Sequence, residues 1–206
     1  SSSTVSTLDA WTVKLSGTGA LSGSHTVSAG TNRLFIAVVS AEYGANTSTF
    51  TPTVTFDGTA LTMITSTNGN STGRHIWTGY LLDAQIPTQG NRTLSVTFSG
   101  TPTGTNIMTA TMSGVNQTTP VPASGSRAAF RSATGGTSIT FGGTINVVAN
   151  GVAYYGLALN GATVTNAGTG YTERWDTGSV NGYSKAGADK PISANGTENP
   201  TITLSA

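Results

Sequence analysis

The chain has 206 residues, 36% of them hydrophobic and only 8% charged, with nine Lys/Arg against eight Asp/Glu and a formal charge of +1. A balance this even, with no basic stripe, argues against a nucleic-acid partner. Cysteine is absent, which excludes disulfides, Cys–zinc sites and thiol catalysis.

Thr, Ser and Asn take the place of charge on the solvated rows, and a period-2 pattern runs almost end to end. Ser1-Ser2-Ser3-Thr4 has neither a basic nor an apolar signal-peptide region, and 1–10 reads as a flexible arm. Trp11, Val13 and Leu15 then alternate with Thr12 and Lys14. This segment is a strand, and after its Ser-rich start the 1–15 region is a candidate for strand addition to a neighbour. Residues 34–39, Leu34 to Val39, are apolar on both faces and predict a central strand covered on both sides. That run is too short to cross a bilayer, so no membrane insertion is expected. Val54 and Phe56 alternate with Thr53 and Thr55, and Asp57-Gly58 predicts a type I′ hairpin. Leu94, Val96 and Phe98 mark another strand, as do Ile139 and Phe141, and Ile202 and Leu204.

Residues 152–159 carry Tyr154 and Tyr155 on opposite faces. Asn150-Gly151 and Asn160-Gly161 bracket that strand and imply a three-stranded meander. Six prolines (Pro87, Pro102, Pro120, Pro122, Pro191 and Pro200) fall between strands or at their ends. No stretch keeps a helical apolar stripe for three turns. Two long loops are expected. The first is 114–137, with Arg127 and Arg131 around Phe130; the second is 166–200, with Tyr171, Trp175 and Tyr183. The fold class is therefore all-β: one antiparallel, jelly-roll-like β-sandwich domain over 1–206, almost free of helix.

The chemistry-bearing residues are sparse. Gly69-Asn70-Ser71-Thr72-Gly73 matches the serine-hydrolase elbow pattern, but the residues after it read as a strand where the elbow needs a helix. Glu42 ends the buried strand, either as a candidate acid or as the point where the strand meets solvent. Glu173 and Asp176 flank Arg174 and Trp175, which reads as a solvated loop pairing internally. No spacing singles out two carboxylates for glycosidase work. His25 and His75 stand alone, so no metal site, cofactor or catalytic residue is assigned. The sequons at Asn46, Asn70, Asn91, Asn116 and Asn195 are what chance produces in such a composition. The remaining signal is aromatic: Tyr171, Arg174, Trp175 and Tyr183 form a candidate ligand-binding group, a sugar-stacking platform or else a cover over the open end of the sandwich.

The landmarks also come in a familiar order. They are Asn32-Arg33-Leu34-Phe35-Ile36-Ala37-Val38, Val54 to Thr62, Ile76-Trp77-Thr78-Gly79-Tyr80-Leu81-Leu82, Leu94 to Gly100, and Met112-Ser113-Gly114-Val115-Asn116-Gln117-Thr118-Thr119-Pro120. This order resembles a jelly-roll-like module that recurs in bacterial secreted or surface proteins and in phage structural proteins. Asn116 stands where the module usually has Asp, and Thr78-Gly79 pushes Tyr80 back. The resemblance implies a fold and a virion, extracellular or cell-surface setting, and it supplies no catalytic residues. The expected function is a non-enzymatic structural or attachment module, such as a capsid decoration or tail-associated protein. Its expected partners are protein neighbours in a capsid, tail or surface layer, including copies of itself. The alternatives are a carbohydrate-binding module, whose partner is a glycan, and a polysaccharide-degrading enzyme.

Overall fold

The computed structural model describes residues 3–43, 51–68, 73–129, 137–180 and 183–205. It is nearly all strand, and the helical residues among those described are one 3-10 turn, Asp83–Gln85. The structure groups into two compact units, Ser1–Pro120 and Val121–Ala206. Each is described in turn.

The first unit contains β1 (Ser6–Gly17), β2 (Leu21–Val27), β3 (Leu34–Glu42), β4 (Thr53–Phe56), β5 (Thr59–Ala60), β6 (Thr62–Asn68), β7 (Arg74–Leu82), β8 (Gly90–Thr97) and β9 (Gly104–Ser113). They form a five-stranded sheet, β1-β9-β3-β7-β6, and a four-stranded sheet, β2-β8-β4-β5. Residues of both sheets meet in one apolar core, among them Val27, Phe35, Val54, Phe56, Trp77, Leu81, Leu94 and Ile107. Phe35 and Phe56 stack there with ring centroids 4.2 Å apart. Burying each such ring contributes roughly 1.5–3 kcal/mol.

β3 is central and buried along its whole length. It pairs with β7 from Leu34↔Leu82 to Glu42↔Arg74, and with β9 from Leu34↔Met112 to Glu42↔Gly104. The Asp57-Gly58 turn has positive φ at both residues, 51° and 82°, as a type I′ hairpin requires. β5 leads through buried Leu61 into β6, so one stretch of chain passes from one sheet to the other.

β1 follows its expected pattern only in part. Trp11 is buried but Val13 is exposed, because register shifts on either side of the Thr12–Val13 step break the strict alternation. Nor is β1 a free arm. It pairs with β9 of its own chain from Ser6↔Ser113 to Gly17↔Thr105, which takes one of its edges out of use for strand addition.

The residues around Gly114 act as joints. Gly114 takes positive φ (74°) just after β9, and Val115 N–H donates to Asn32 O at 2.9 Å. Gln117 donates to Arg33 O and accepts from Asp83 N–H, while Arg33 pairs with Asp83 at 2.7 Å. Asn116 Oδ1 accepts from both Thr118 N–H and Thr119 N–H at 2.9 Å, an acceptor role that an Asp fills as well.

The second unit contains β10 (Ser138–Ile139), β11 (Ile145–Val147), β12 (Val152–Leu159), β13 (Val164–Asn166), β14 (Thr172–Val180), β15 (Tyr183–Pro191), β16 (Gly196–Glu198) and β17 (Ile202–Leu204). The sheets are β12-β15-β14, β10-β17-β13 and β11-β16. The expected meander around β12 does not form. Its sequence neighbours β11 and β13 pair with β16 and β17, and β12 pairs with β15 instead. The Asn-Gly turns are real: Asn150 and Gly161 both take positive φ. What each does is redirect the chain between sheets rather than close a hairpin within one.

The expected loop at 166–200 is also corrected, because it holds β14, β15 and β16. The buried positions of β15 are Ser184, Lys185, Ala186, Gly187, Ala188 and Asp189, which show no apolar alternation to read. By contrast, no strand occurs between Gly114 and residue 129. There Arg127 donates to the carbonyls of Phe141 and Gly142. Arg131 and Phe130 lie outside the described residues.

In the first unit Trp77 lies flat over Gly79, two residues along β7. A methyl on Gly79 would come within 2.2 Å of the indole. Gly79→Ala is therefore expected to cost about 1–3 kcal/mol through overpacking. Gly196→Ala, with nothing within 4 Å of the added carbon, should stay within about 0.5 kcal/mol. Denaturant midpoints of the two variants check the contrast.

Candidate functional site

The four aromatic and basic residues expected to bind ligand lie in or beside the sheet β12-β15-β14. Trp175 is only 6% exposed and lies flat on Gly187 of β15, where an added methyl would come within 1.9 Å of the indole. It is a packed residue, not an open stacking platform. The reason is a bulge. Glu173 pairs with Ala188 and Trp175 with Gly187, so Arg174 is one residue too many. Both Arg174 and Trp175 consequently reach partners on the same row of β15. Arg174 Nε donates to buried Asp189 at 2.8 Å, which corrects the expected pairing with its own neighbours Glu173 and Asp176.

Tyr171 is half-buried beside the other row, which faces a core of Tyr155, Leu157, Leu159, Ala186, Ala188, Ile202 and Leu204. Its ring sits 5.5 Å from that of Tyr155, which is 5.7 Å from Phe141. Lys190 Nζ stands 5.6 Å over the Tyr171 ring and donates to Glu198 at 2.7 Å, and Tyr171 O–H donates to the same carboxylate at 3.4 Å. Burial, then the Glu198 charge, raises the Tyr171 phenol above its ordinary value. Tyr155 is raised by burial and by Glu173, and its O–H donates to Ala167 O at 2.9 Å. Glu173 is itself raised by burial and by Asp176. Tyr183 opens β15, with its side chain outside the described residues. The sequence group thus divides. Tyr171 belongs to an aromatic and ion-pair cluster that sequence reading missed, Arg174 and Trp175 belong to the opposite row, and only spatial proximity links Tyr171 to Tyr155, Lys190 and Glu198.

The first unit holds a buried polar relay. His25 on β2 is 1% exposed, with Phe35 and Phe56 edge-on at 5.0 and 5.8 Å. Its Nδ1 lies 2.9 Å from Thr109 Oγ1 and its Nε2 lies 3.0 Å from Thr111 Oγ1. Thr111 also bonds the carboxylate of Asp9. A carboxylate only accepts, so Thr111 donates to Asp9 and accepts from Nε2–H. Nδ1 is then the acceptor, and Thr109 O–H donates to it. Burial, with Lys14 adding to it, lowers the His25 pKa to about 4 against the weaker pull of Asp9. Burial works to raise Asp9, but Ser28 O–H and N–H donate to it at 2.5 and 3.1 Å and leave it below its ordinary value. Ser28 gives its proton to Asp9 and not to the imidazole, so Asp9, His25 and Ser28 make no nucleophile–base pair.

Glu42, expected as a candidate acid or as a marker of solvent, is 2% exposed and stands across from Arg74 in the ladder. On the neighbouring row Tyr43 meets His75 edge-on at 5.3 Å, and burial pushes the Tyr43 phenol up to about 12 and His75 down. The serine of the elbow-like motif lies outside the described residues, and Arg74 onward is strand, so no helix follows it. Among the described residues no group of three or more His, Asp or Glu is placed to hold a metal ion.

Comparison with protein-family models, with curated proteins and with solved structures finds no match.

Two outcomes follow from this geometry. The unfolded chain protonates its histidines near 6.5, whereas folded His25 does so only near 4, so acid favours unfolding. Stability should be complete above pH 6.5 and fall by about 3 kcal/mol as pH drops toward 4, with His75 acting in the same direction. His25→Gln should flatten most of that slope in urea titrations run at several pH values. Trp175→Ala should lower stability by about 3–5 kcal/mol, read from the denaturant midpoint, as expected of a buried indole rather than an exposed platform.

Proposed function

We propose that this chain is a non-enzymatic structural or attachment module carried on a virion or on a bacterial surface, with its first unit a jelly roll. The strand order supports the fold half of the reading. β1-β9-β3-β7 in one sheet and β2-β8-β4-β5 in the other is the order that two interlocked Greek keys would give, which favours the jelly-roll reading.

The observation that carries the functional half is the outer face of the four-stranded sheet. Ser22, Ser24 and Thr26 of β2 stand opposite Ser95, Thr93 and Asn91 of β8. These side chains bond one another, Ser22 to Ser95 at 3.3 Å and Thr26 to Asn91 at 3.4 Å. A face tiled with hydroxyls and amides carries no charge to desolvate when a neighbour covers it. Arg33, Arg174 and Lys190 point the same way, since each is engaged with a carboxylate of its own unit.

Quantitative antibody labelling of intact particles and cells from the source tests the reading. A regular, high copy number on an outer surface is the expected result. A chain confined to the soluble fraction and retained on a polysaccharide column would overturn it in favour of a carbohydrate-binding module. Polysaccharide cleavage by the purified chain would overturn it in favour of an enzyme.

A further inference from the structure

The edge strands of this protein are unlike one another. β1 is interrupted by three register shifts and carries Asp9 and Lys14. β14 is interrupted by two and carries Glu173, Arg174 and Asp176. β6 has one register shift, β5 has two residues, and β2 runs beside β1. Bulges, charges and short length are the ordinary means of stopping an open edge from pairing.

β12 has none of them. Its eight residues, Val152–Leu159, pair with β15 without a shift, and they include no charge and no proline. Among the described residues no strand pairs with its other edge. A regular, apolar edge of this length, without bulge, charge or proline, is a template for another strand.

We infer that β12 is a self-pairing edge, through which two copies of this chain join antiparallel into one continuous sheet, β14-β15-β12 followed by the second copy's β12-β15-β14. This deepens the module reading by naming a contact between copies, and it rests on that reading only for the expectation that copies meet. A second copy is favoured as occupant by the strand's own pattern. A two-fold axis normal to the sheet through Gly156 sets Tyr155 opposite Leu157 of the second copy, and Ala153 opposite its Leu159. Those residues occupy the row that faces the core in each unit, so the apolar rows of the two copies run on from one another. Glycine at the axis leaves no side chains to collide there. With no charge on the strand, no like charges face each other across the join. The contact is isologous and closes at two copies, leaving β14, with its charges and bulges, as the outer edge.

Sedimentation equilibrium over a concentration series, with hydrogen exchange measured at its two ends, tests the pairing. A mass rising toward twice that of the chain is expected, with exchange slowing at amides of 152–159 and not at those of 172–177. Ala158→Lys should weaken the association by about tenfold or more, and Thr172→Lys on the far edge should not. A chain that stays monomeric with unchanged exchange in β12 overturns the inference, as does a dimer whose slowed amides lie elsewhere. If Ala158→Lys does not fold, exchange in the native chain decides. Neither failure bears on surface labelling of native particles, so the pairing and the module reading can fail separately.

Discussion

The first unit depends on one constraint, the burial of β3 on both faces. A strand in that position must have every backbone group taken up by neighbours, and β7 and β9 do this along its full length. It must also present side chains that cost little to bury on both rows. Leu34 through Val39 do so without exception, and this places the remaining strands, since β7 and β9 are fixed beside it and the second sheet must cover Phe35, Ala37 and Val39. Beyond Val39 the requirement is met differently. Ser40 and Glu42 are buried too, and Glu42 stands directly across from Arg74, so a carboxylate enters the interior with a cation as its ladder neighbour.

The interior is thus not free of polar groups, but those it has are matched with unusual economy of charge. His25 remains neutral and spends its two ring nitrogens on hydroxyls of β9. Those threonines occupy inward positions where a purely apolar core would place aliphatic residues, and the relay they begin ends at Asp9 and Ser28 near the surface. A chain with so few charges has limited means of pairing a buried one, and threonine, which suits strands and can both donate and accept, takes over that work. The second unit solves another problem with glycine. Two rows of β15 are buried, and the space for the Trp175 indole on one of them exists only because Gly187 has no side chain.

Strands that obey period-2 alternation were legible from residue types alone. The buried positions of β4 and β17 alternate as their valine, phenylalanine, isoleucine and leucine do, and the doubly apolar run at 34–39 marks β3. The Asp57-Gly58 turn was legible because positive φ at two successive residues selects few sequences. β14 and β15 were not legible. Alanine and glycine bury little area and leave no apolar signature, while Lys185 and Asp189 look like solvent-facing residues in a list and are buried in the fold. The placement of Trp175 in the candidate ligand group was not legible for the same reason. A polar neighbourhood in sequence suggested exposure for Trp175, but exposure was decided by Gly187, a residue twelve positions away whose contribution is an absence. The meander failed because Asn-Gly specifies local backbone geometry and says nothing about which sheet the next strand joins.

These facts bear on where function should be sought. Arg33 and Gly114 through Gln117 are occupied in joining the end of β9 to the start of β3 and to the 3-10 turn. Their contacts serve the fold. Arg33, Arg174 and Lys190 are likewise engaged with carboxylates of their own unit. Two features among the described residues have a regular and extended chemical character: a hydroxyl-covered sheet face on one unit and, on the other, a strand edge without bulge, charge or proline. Flat faces and open edges recognise other flat faces and other strands, through area and backbone hydrogen bonds, which is the kind of contact the proposed module would make.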